Sequence, residues 1–222
     1  LLLPKSEIID QQSSIALLAV LTPAVALFVP LFLTGGIGPF DFWWWMTVNL
    51  VVLLTLVQFV DASWRHALVS DFQDHPARKA AAGILSALVL YGIFWLGNKL
   101  SCFLFPDAAR NIAAVYGYKG QASTLRIALL MLLIIGPGEE LFWRGFLQRH
   151  LANRLDGRRG WLWATAIYTA IHVVSGNPML VVAAGVCGLF WGWLYWKRGS
   201  LLLNIVSHTI WDIGVFLLFP FH

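Results

Sequence analysis

Residues 127–147 read IALLMLLIIGPGEELFWRGFL: nine apolar residues in a row, then Gly136-Pro137-Gly138, two glutamates, and an arginine four positions after the second. A bilayer-crossing helix needs about 20 predominantly apolar residues, and this run is long enough. Yet Glu139, Glu140 and Arg144 are expensive at that depth, and such groups are functional by default. Successive helical residues point about 100° apart, so the two glutamates cannot serve one point equally. Glu140 and Arg144 are i and i+4 on one face, where an ion pair forms readily and neutralises both groups in a low-dielectric setting. Glu140–Arg144 therefore reads as structural support, which leaves Glu139 for chemistry. The plainer alternative makes Glu139 a second partner of Arg144 in a purely structural network.

The rest of the chain has the composition this stretch implies. Of its 222 residues, 59% are hydrophobic and only 12% are charged, with mean hydropathy +0.74. A soluble domain carries about a quarter charged residues. Disordered, coiled-coil, collagen-like and disulfide-scaffold classes are excluded, and an integral membrane protein remains. The two cysteines, Cys102 and Cys187, sit in apolar stretches and imply neither a disulfide framework nor a zinc knuckle. The net charge of +4 fits basic cytoplasmic loops, and nucleic acid is not an expected partner. The chain opens on Leu1 rather than Met, so trimming or processing upstream of it is expected. Its first apolar run is too long for a signal peptide and lacks a small-residue cleavage site.

Working outward, apolar runs cover 15–33, 42–60, 80–97, 127–147, 161–174, 179–196 and 201–219. The expected fold is all-α: one polytopic transmembrane helix bundle over 1–222 with about seven spans, the N-terminal ones in 15–105 and those that the family resemblance given below makes the catalytic core in 124–219. No internal repeat or low-complexity linker divides it. Placing the N-terminus inside puts ten of the fifteen Lys and Arg residues on the cytoplasmic side, against Lys99, Arg110, Lys119 and Arg126 outside; the positive-inside bias thus predicts N-in and C-out. The polar segment 106–123 is expected to be a partly helical outer loop. Trp43–Trp45 and Trp191, Trp193 and Trp196 are expected to be headgroup anchors, and Pro23 and Pro30 to kink the first span.

Titratable groups are almost absent from the first three runs, but the last four also hold His172, His208 and Asp212. His208 and Asp212 are i and i+4, so the carboxylate is placed to fix the imidazole tautomer. Counting about 1.5 Å per residue from Arg149, Gly160 and Ser200 puts Glu139 ~15 Å deep, His172 ~18 Å and His208 ~12 Å. Three spans thus deliver polar groups to one layer. Gly136-Pro137-Gly138 is expected to open the helix beside Glu139, non-helical backbone being allowed only against protein or a wet cavity.

Together these patterns resemble the CPBP family, also called ABI, which includes the type II CAAX prenyl endopeptidases and bacteriocin-processing relatives. Its Glu-Glu-x-x-x-Arg motif is matched by Glu139, Glu140 and Arg144. Its Phe-x-x-x-His motif is matched at His172, with Tyr168 in the aromatic place, and its His-x-x-x-Asn/Asp motif by His208 and Asp212. The resemblance implies an intramembrane endopeptidase, a hydrolase of glutamic type, in the bilayer (the inner or plasma membrane if bacterial), acting on a membrane-anchored or hydrophobic peptide by CAAX-like or bacteriocin-type processing. By the same resemblance Glu139 and His172 activate water, and His208 and Asp212 stabilise the tetrahedral intermediate. An ionised Asp212 cannot donate to an oxyanion, so an orienting role on His208 is preferred for it over a protonated one.

Other readings stay open. Glu139, His172, His208 and Asp212 would serve a zinc metalloprotease with one open position; no His-Glu-x-x-His helix supports it, and no cofactor is the preferred expectation. A proton-coupled transporter component would use the same residues as a relay, but a second broken helix is not evident. An inactive immunity scaffold is the remaining alternative.

Overall fold

The computed structural model describes residues 5–61 and 63–221; Leu1 and the expectation attached to it lie outside them. The described chain is almost wholly helical. Helix α1 (Lys5–Thr34) runs through Pro23 and Pro30 and turns through a two-residue hairpin, β1 (Gly36–Ile37) against β2 (Phe40–Asp41). Helix α2 (Phe42–Val60) starts where the Asp41 carboxylate accepts from the Trp43 and Trp44 N–H groups, which satisfies donors that a helix start leaves orphaned. A short helix α3 (Ser63–Gln73), not expected from the apolar pattern, leads into the long α4 (Pro76–Leu104). The polar segment that follows is partly helical as expected, with α5 (Ala108–Tyr116) and a 3₁₀ turn over Gly117–Gln121.

The stretch quoted at the outset lies in one unbroken rod. It comprises α6 (Thr124–Leu130), a π-helical stretch Met131–Ile135, α7 (Gly136–Glu140), a second π stretch Leu141–Gln148, and α8 (Arg149–Arg154). Gly136-Pro137-Gly138 does not open the helix. The Gly136 N–H reaches back five residues to the Met131 carbonyl, so a widened turn precedes Pro137, whose ring lacks an N–H. The glycines serve close packing instead: a Cβ on Gly136 would stand 2.4 Å from Thr209 Oγ1, and one on Gly138 3.2 Å from Leu50. Helices α9 (Gly157–Val173), α10 (Pro178–Arg198) and α11 (Leu201–Asp212, continued by a π stretch Ile213–Leu218) complete the bundle.

Among the described residues, five helical segments are long and apolar enough to cross a membrane: Ala16–Thr34, Phe42–Val60, Pro76–Leu104, Pro178–Arg198 and Leu201–Leu218. The other two expected spans are helical but outside that set: one carries Glu139, Glu140 and Arg144, and the other, α9, is only 17 residues long. The lipid-facing character is clearest on α4, whose apolar window is only 17% buried inside the protein and which exposes Leu85, Leu88 and Leu96. Such a surface would be an aggregation hazard in water.

Helix ends gather in two groups. At one end Arg149 pairs with Asp61, and Asp71 of α3 meets Ser200 and the Leu202 N–H. At the other, Arg126 pairs with Asp41, and Gln121 bonds both the Phe42 N–H and the Gly35 carbonyl. Burial pushes the Asp61 carboxyl up, but the Ser63 hydroxyl and the Arg149 charge outweigh it and hold Asp61 below the ordinary carboxylate range. Between the ends, Val20, Phe28, Leu50, Leu53, Phe142 and Phe146 form a core around the rod.

α4 packs along α11, and the approach is close because Gly83 has no side chain: a Cβ there would lie 2.7 Å from the Leu203 carbonyl oxygen. Small residues let membrane helices approach in this way. Gly83→Ala must push the two helices apart, a cost of about 1–3 kcal/mol for overpacking. It is expected to lower the thermal midpoint of the detergent-solubilised protein, and an unchanged midpoint would show that the contact yields freely.

Candidate active site

Glu140 organises the site. Its side chain is fully buried, and Oε1 accepts from Arg144 Nη1 at 2.8 Å while Oε2 accepts from Asn204 Nδ2 at 2.9 Å. Oε1 also lies 2.7 Å from His208 Nδ1. A buried charge is tolerated only when paired and hydrogen-bonded, and here the rod and α11 supply those partners jointly. Arg144 is likewise consumed. It donates Nη2 to the Cys187 carbonyl at 3.3 Å and sits over the Tyr168 and Trp191 rings. The i,i+4 pairing read from sequence is present, with two further partners that spacing alone did not reveal.

Glu139, one residue earlier on the rod, turns to a different neighbourhood. It accepts from the Tyr168 hydroxyl at 3.1 Å and lines a cavity of about 170 Å³. His172, His208 and Asp212 line the same cavity, as does Tyr168. The rod, α9 and α11 thus bring all four candidate catalytic side chains to one space.

Hydrogen bonding sets what each imidazole offers. His172 Nδ1 lies 2.8 Å from the Tyr168 carbonyl oxygen. A carbonyl only accepts, so Nδ1 carries the proton and a neutral His172 has its lone pair on Nε2. His208 Nδ1 faces the Glu140 carboxylate, and Asp212 Oδ2 stands 3.5 Å from Nε2. The tautomer-fixing contact expected from Asp212 is therefore led by Glu140, which has the shorter bond, while Asp212 flanks the other nitrogen.

Trp191 departs from its expected place in the headgroup zone. It is buried, stacks on the His208 ring at 3.8 Å between centroids, and donates its indole N–H to Ser207. Trp43 is buried too, lining the cavity, whereas Trp44 and Trp193 are exposed as anchors should be. Asn204 was missed as well. It sits four residues before His208, on the same helix face, and that spacing was its signal. A second cavity of about 310 Å³ lies beside the first, apolar apart from Asn98, Ser101, Tyr116 and Asp212, and shares Met131, Trp211, Asp212 and Phe216 with it.

Among the described residues, no three His, Cys, Asp or Glu side chains are grouped to hold a metal ion.

With this geometry in place, comparison with known protein families gives a match spanning residues 121–214. The matched family is type II CAAX prenyl endopeptidase Rce1-like. The Rce1-like segment begins just before α6 and ends two residues past Asp212, so it holds every candidate site residue. The family is one of peptidases, a class of hydrolase, and residues 121–214 are similar to it; the described chain also has five helical segments long and apolar enough to cross a membrane. No curated protein and no solved structure matches the chain.

Because three donors converge on Glu140, removing either member of its ion pair strands a buried charge. Glu140→Ala and Arg144→Ala are each expected to cost on the order of 3–5 kcal/mol, with the double variant less damaged than the two losses summed. Thermal unfolding of the three variants in detergent measures this. Single variants as stable as the parent would contradict the pairing.

Proposed function

We propose that the chain is a metal-free intramembrane endopeptidase that uses Glu139 to activate water. The observation carrying this reading is the division of labour between adjacent glutamates: Glu140 is saturated by Arg144, Asn204 and His208, whereas Glu139 faces the cavity with, among the described residues, the Tyr168 hydroxyl as its hydrogen-bond partner. In the reaction, Glu139 takes a proton from water as the oxygen attacks the scissile carbonyl. His172 accepts from that water through Nε2 and orients it. The oxyanion is met by His208 Nε2–H; the ring then carries both protons, and the carboxylates of Glu140 and Asp212 on either side balance its charge. Donors placed at a developing oxyanion are worth about 10²–10³ in rate. Glu139 returns its proton to the amide nitrogen, the C–N bond breaks, and an amine and a carboxylic acid leave, the acid then giving its proton to the amine or to solvent. The same residue thus acts first as base and then as acid.

The substrate in this reading is a membrane-associated peptide with an apolar portion, of the CAAX-type that the family's description names. The adjoining apolar cavity suits such a portion. The bundle crosses the bilayer seven times with its N-terminus inside and C-terminus outside. The gathering of helix ends into two opposite groups supports this, as does the basic bias of one of them. Residues 15–105 shape substrate access and 124–219 form the catalytic core.

Glu139→Gln keeps the shape and removes the base. The purified variant is expected to lose cleavage of a quenched fluorescent prenylated CAAX peptide by at least about 10³-fold while keeping its thermal midpoint, and the parent is expected to keep its activity through exhaustive chelation. Turnover by the Gln variant, or chelator inactivation reversed by added Zn²⁺, would replace this mechanism.

Asp212 is assigned the support of His208 from the Nε2 side. Asn preserves a polar partner in nearly the same volume, so Asp212→Asn is expected to keep kcat/KM within about tenfold, and Asp212→Leu to lose about 10²-fold. If Asn is as inactive as Leu, the carboxylate carries a proton or a ligand instead.

A further inference from the structure

Among the described residues no side chain of α3, the short helix that joins α2 to α4, lines the cavity, yet its two ends are tied to two of the three elements that carry the catalytic groups, the rod and α11. At its start, Asp61 pairs with Arg149, and Arg149 also donates to Ser63 at 3.4 Å. Arg149 is the first residue after the π stretch bearing Arg144. Toward its other end, Asp71 Oδ2 accepts the Leu202 N–H at 2.7 Å and the Ser200 hydroxyl at 3.2 Å. Ser200 in turn accepts from the Leu203 N–H. The first turn of α11 is thus capped twice, once by its own N-cap serine and once by a carboxylate from another helix.

Asp71 is held for this task. Lys79 pairs with its Oδ1 at 3.0 Å and donates to its backbone carbonyl at 2.8 Å, and the Asp71 side chain is only 10% exposed. A carboxylate at a helix N-terminus also opposes the positive end of the helix dipole. Between the two ties, α3 wedges against the rod and α11 at one point: a Cβ on Gly145 would stand 3.1 Å from Leu201 Cδ1 and 3.2 Å from Trp64 Nε1. Gly145 follows Arg144 on the rod, Leu201 opens α11, and Trp64 belongs to α3. His208 lies six residues beyond Leu202, about 9 Å along the helix axis, so an axial shift of α11 passes directly to the contact between its imidazole and Glu140.

We infer that α3 is a positioning strap, in which Asp71 and Asp61 fix the axial register of the His208 helix against the glutamate rod. Their effect on catalysis goes through His208 and rests on the peptidase reading above; their effect on the His208–Glu140 contact does not. A displacement of about 1 Å at reacting groups is enough to cost 10²-fold in rate.

The test uses the full chain in lipid nanodiscs. Asp71→Ala removes the second cap, while Asp71→Asn keeps an acceptor for the Leu202 N–H. The first readout is the ¹⁵N imidazole resonance of His208, assigned by its loss in His208→Ala; the second is kcat and KM on the quenched prenylated CAAX peptide. Asp71→Ala is expected to move the His208 resonance and lower kcat tenfold to a hundredfold at unchanged KM, with Asp71→Asn restoring both to within about threefold. Asp61→Asn, which releases the other end, is expected to move the same resonance, and it serves if the Ala variant does not fold. A His208 resonance unmoved in both Asp71→Ala and Asp61→Asn, or a loss of thermal stability with kcat intact, overturns the strap. A parent chain that leaves the peptide uncut while Asp71→Ala still moves the resonance upholds the strap and rejects the peptidase.

Discussion

The structure turns on one buried carboxylate. Glu140 has no access to solvent, and an unpaired charge in such a place is expensive enough to dictate what surrounds it. Arg144 answers from the next turn of the same rod, while Asn204 and His208 answer from α11. Satisfying Glu140 therefore fixes where α11 lies against the rod and which way the His208 ring faces. Trp191 then covers the ring's flat side, and Arg144 donates Nη2 to the Cys187 carbonyl, drawing α10 into the same arrangement. Neutralising one group thus builds most of the wall of the cavity in which Glu139 stands.

This explains why so much of the molecule is legible in the residue pattern. Apolar runs set helix positions through solvent chemistry alone: the 42–60 run coincides with α2, and the 179–196 and 201–219 runs differ from their helices by at most two residues at either end. The Glu140–Arg144 pair and the isolation of Glu139 followed from helix geometry, which operates within five consecutive residues. What escaped was everything set by contacts between helices. Trp191 has the same composition-level signature as Trp193, and only the packing of α10 on α11 decides that one lies under His208 and the other faces outward. α3 escaped because its 11 residues are too few and too polar to register as a span. Gly136-Pro137-Gly138 misled for a related reason: in isolation the triplet breaks helices, but against Thr209 and Leu50 it is what allows two neighbours to come close.

The two imidazoles illustrate how a fold can assign different duties to one side chain. The Tyr168 carbonyl can only accept, so it holds a neutral His172 with its outward nitrogen as an acceptor. His208 meets a carboxylate on each side, which favours a donor on both nitrogens. No difference in the residues themselves distinguishes them; the partner behind each ring does.

The π stretches on either side of Glu139 and Glu140 bear on how such a chain can vary through time. Each widened turn holds one more residue than an α turn over the same rise, so the facing of the glutamates depends on residue count as well as residue type. Loss of one position within Met131–Ile135 can be absorbed by tightening the widened turn to an α turn, which leaves later side chains facing as before. Loss of one position from the α turn Gly136–Glu140 has no such excess to draw on and would shift every later side chain by about 100°. Lineages carrying this rod are therefore expected to vary in length, if at all, only where a turn is already widened, and to hold the spacing of the glutamate turn constant.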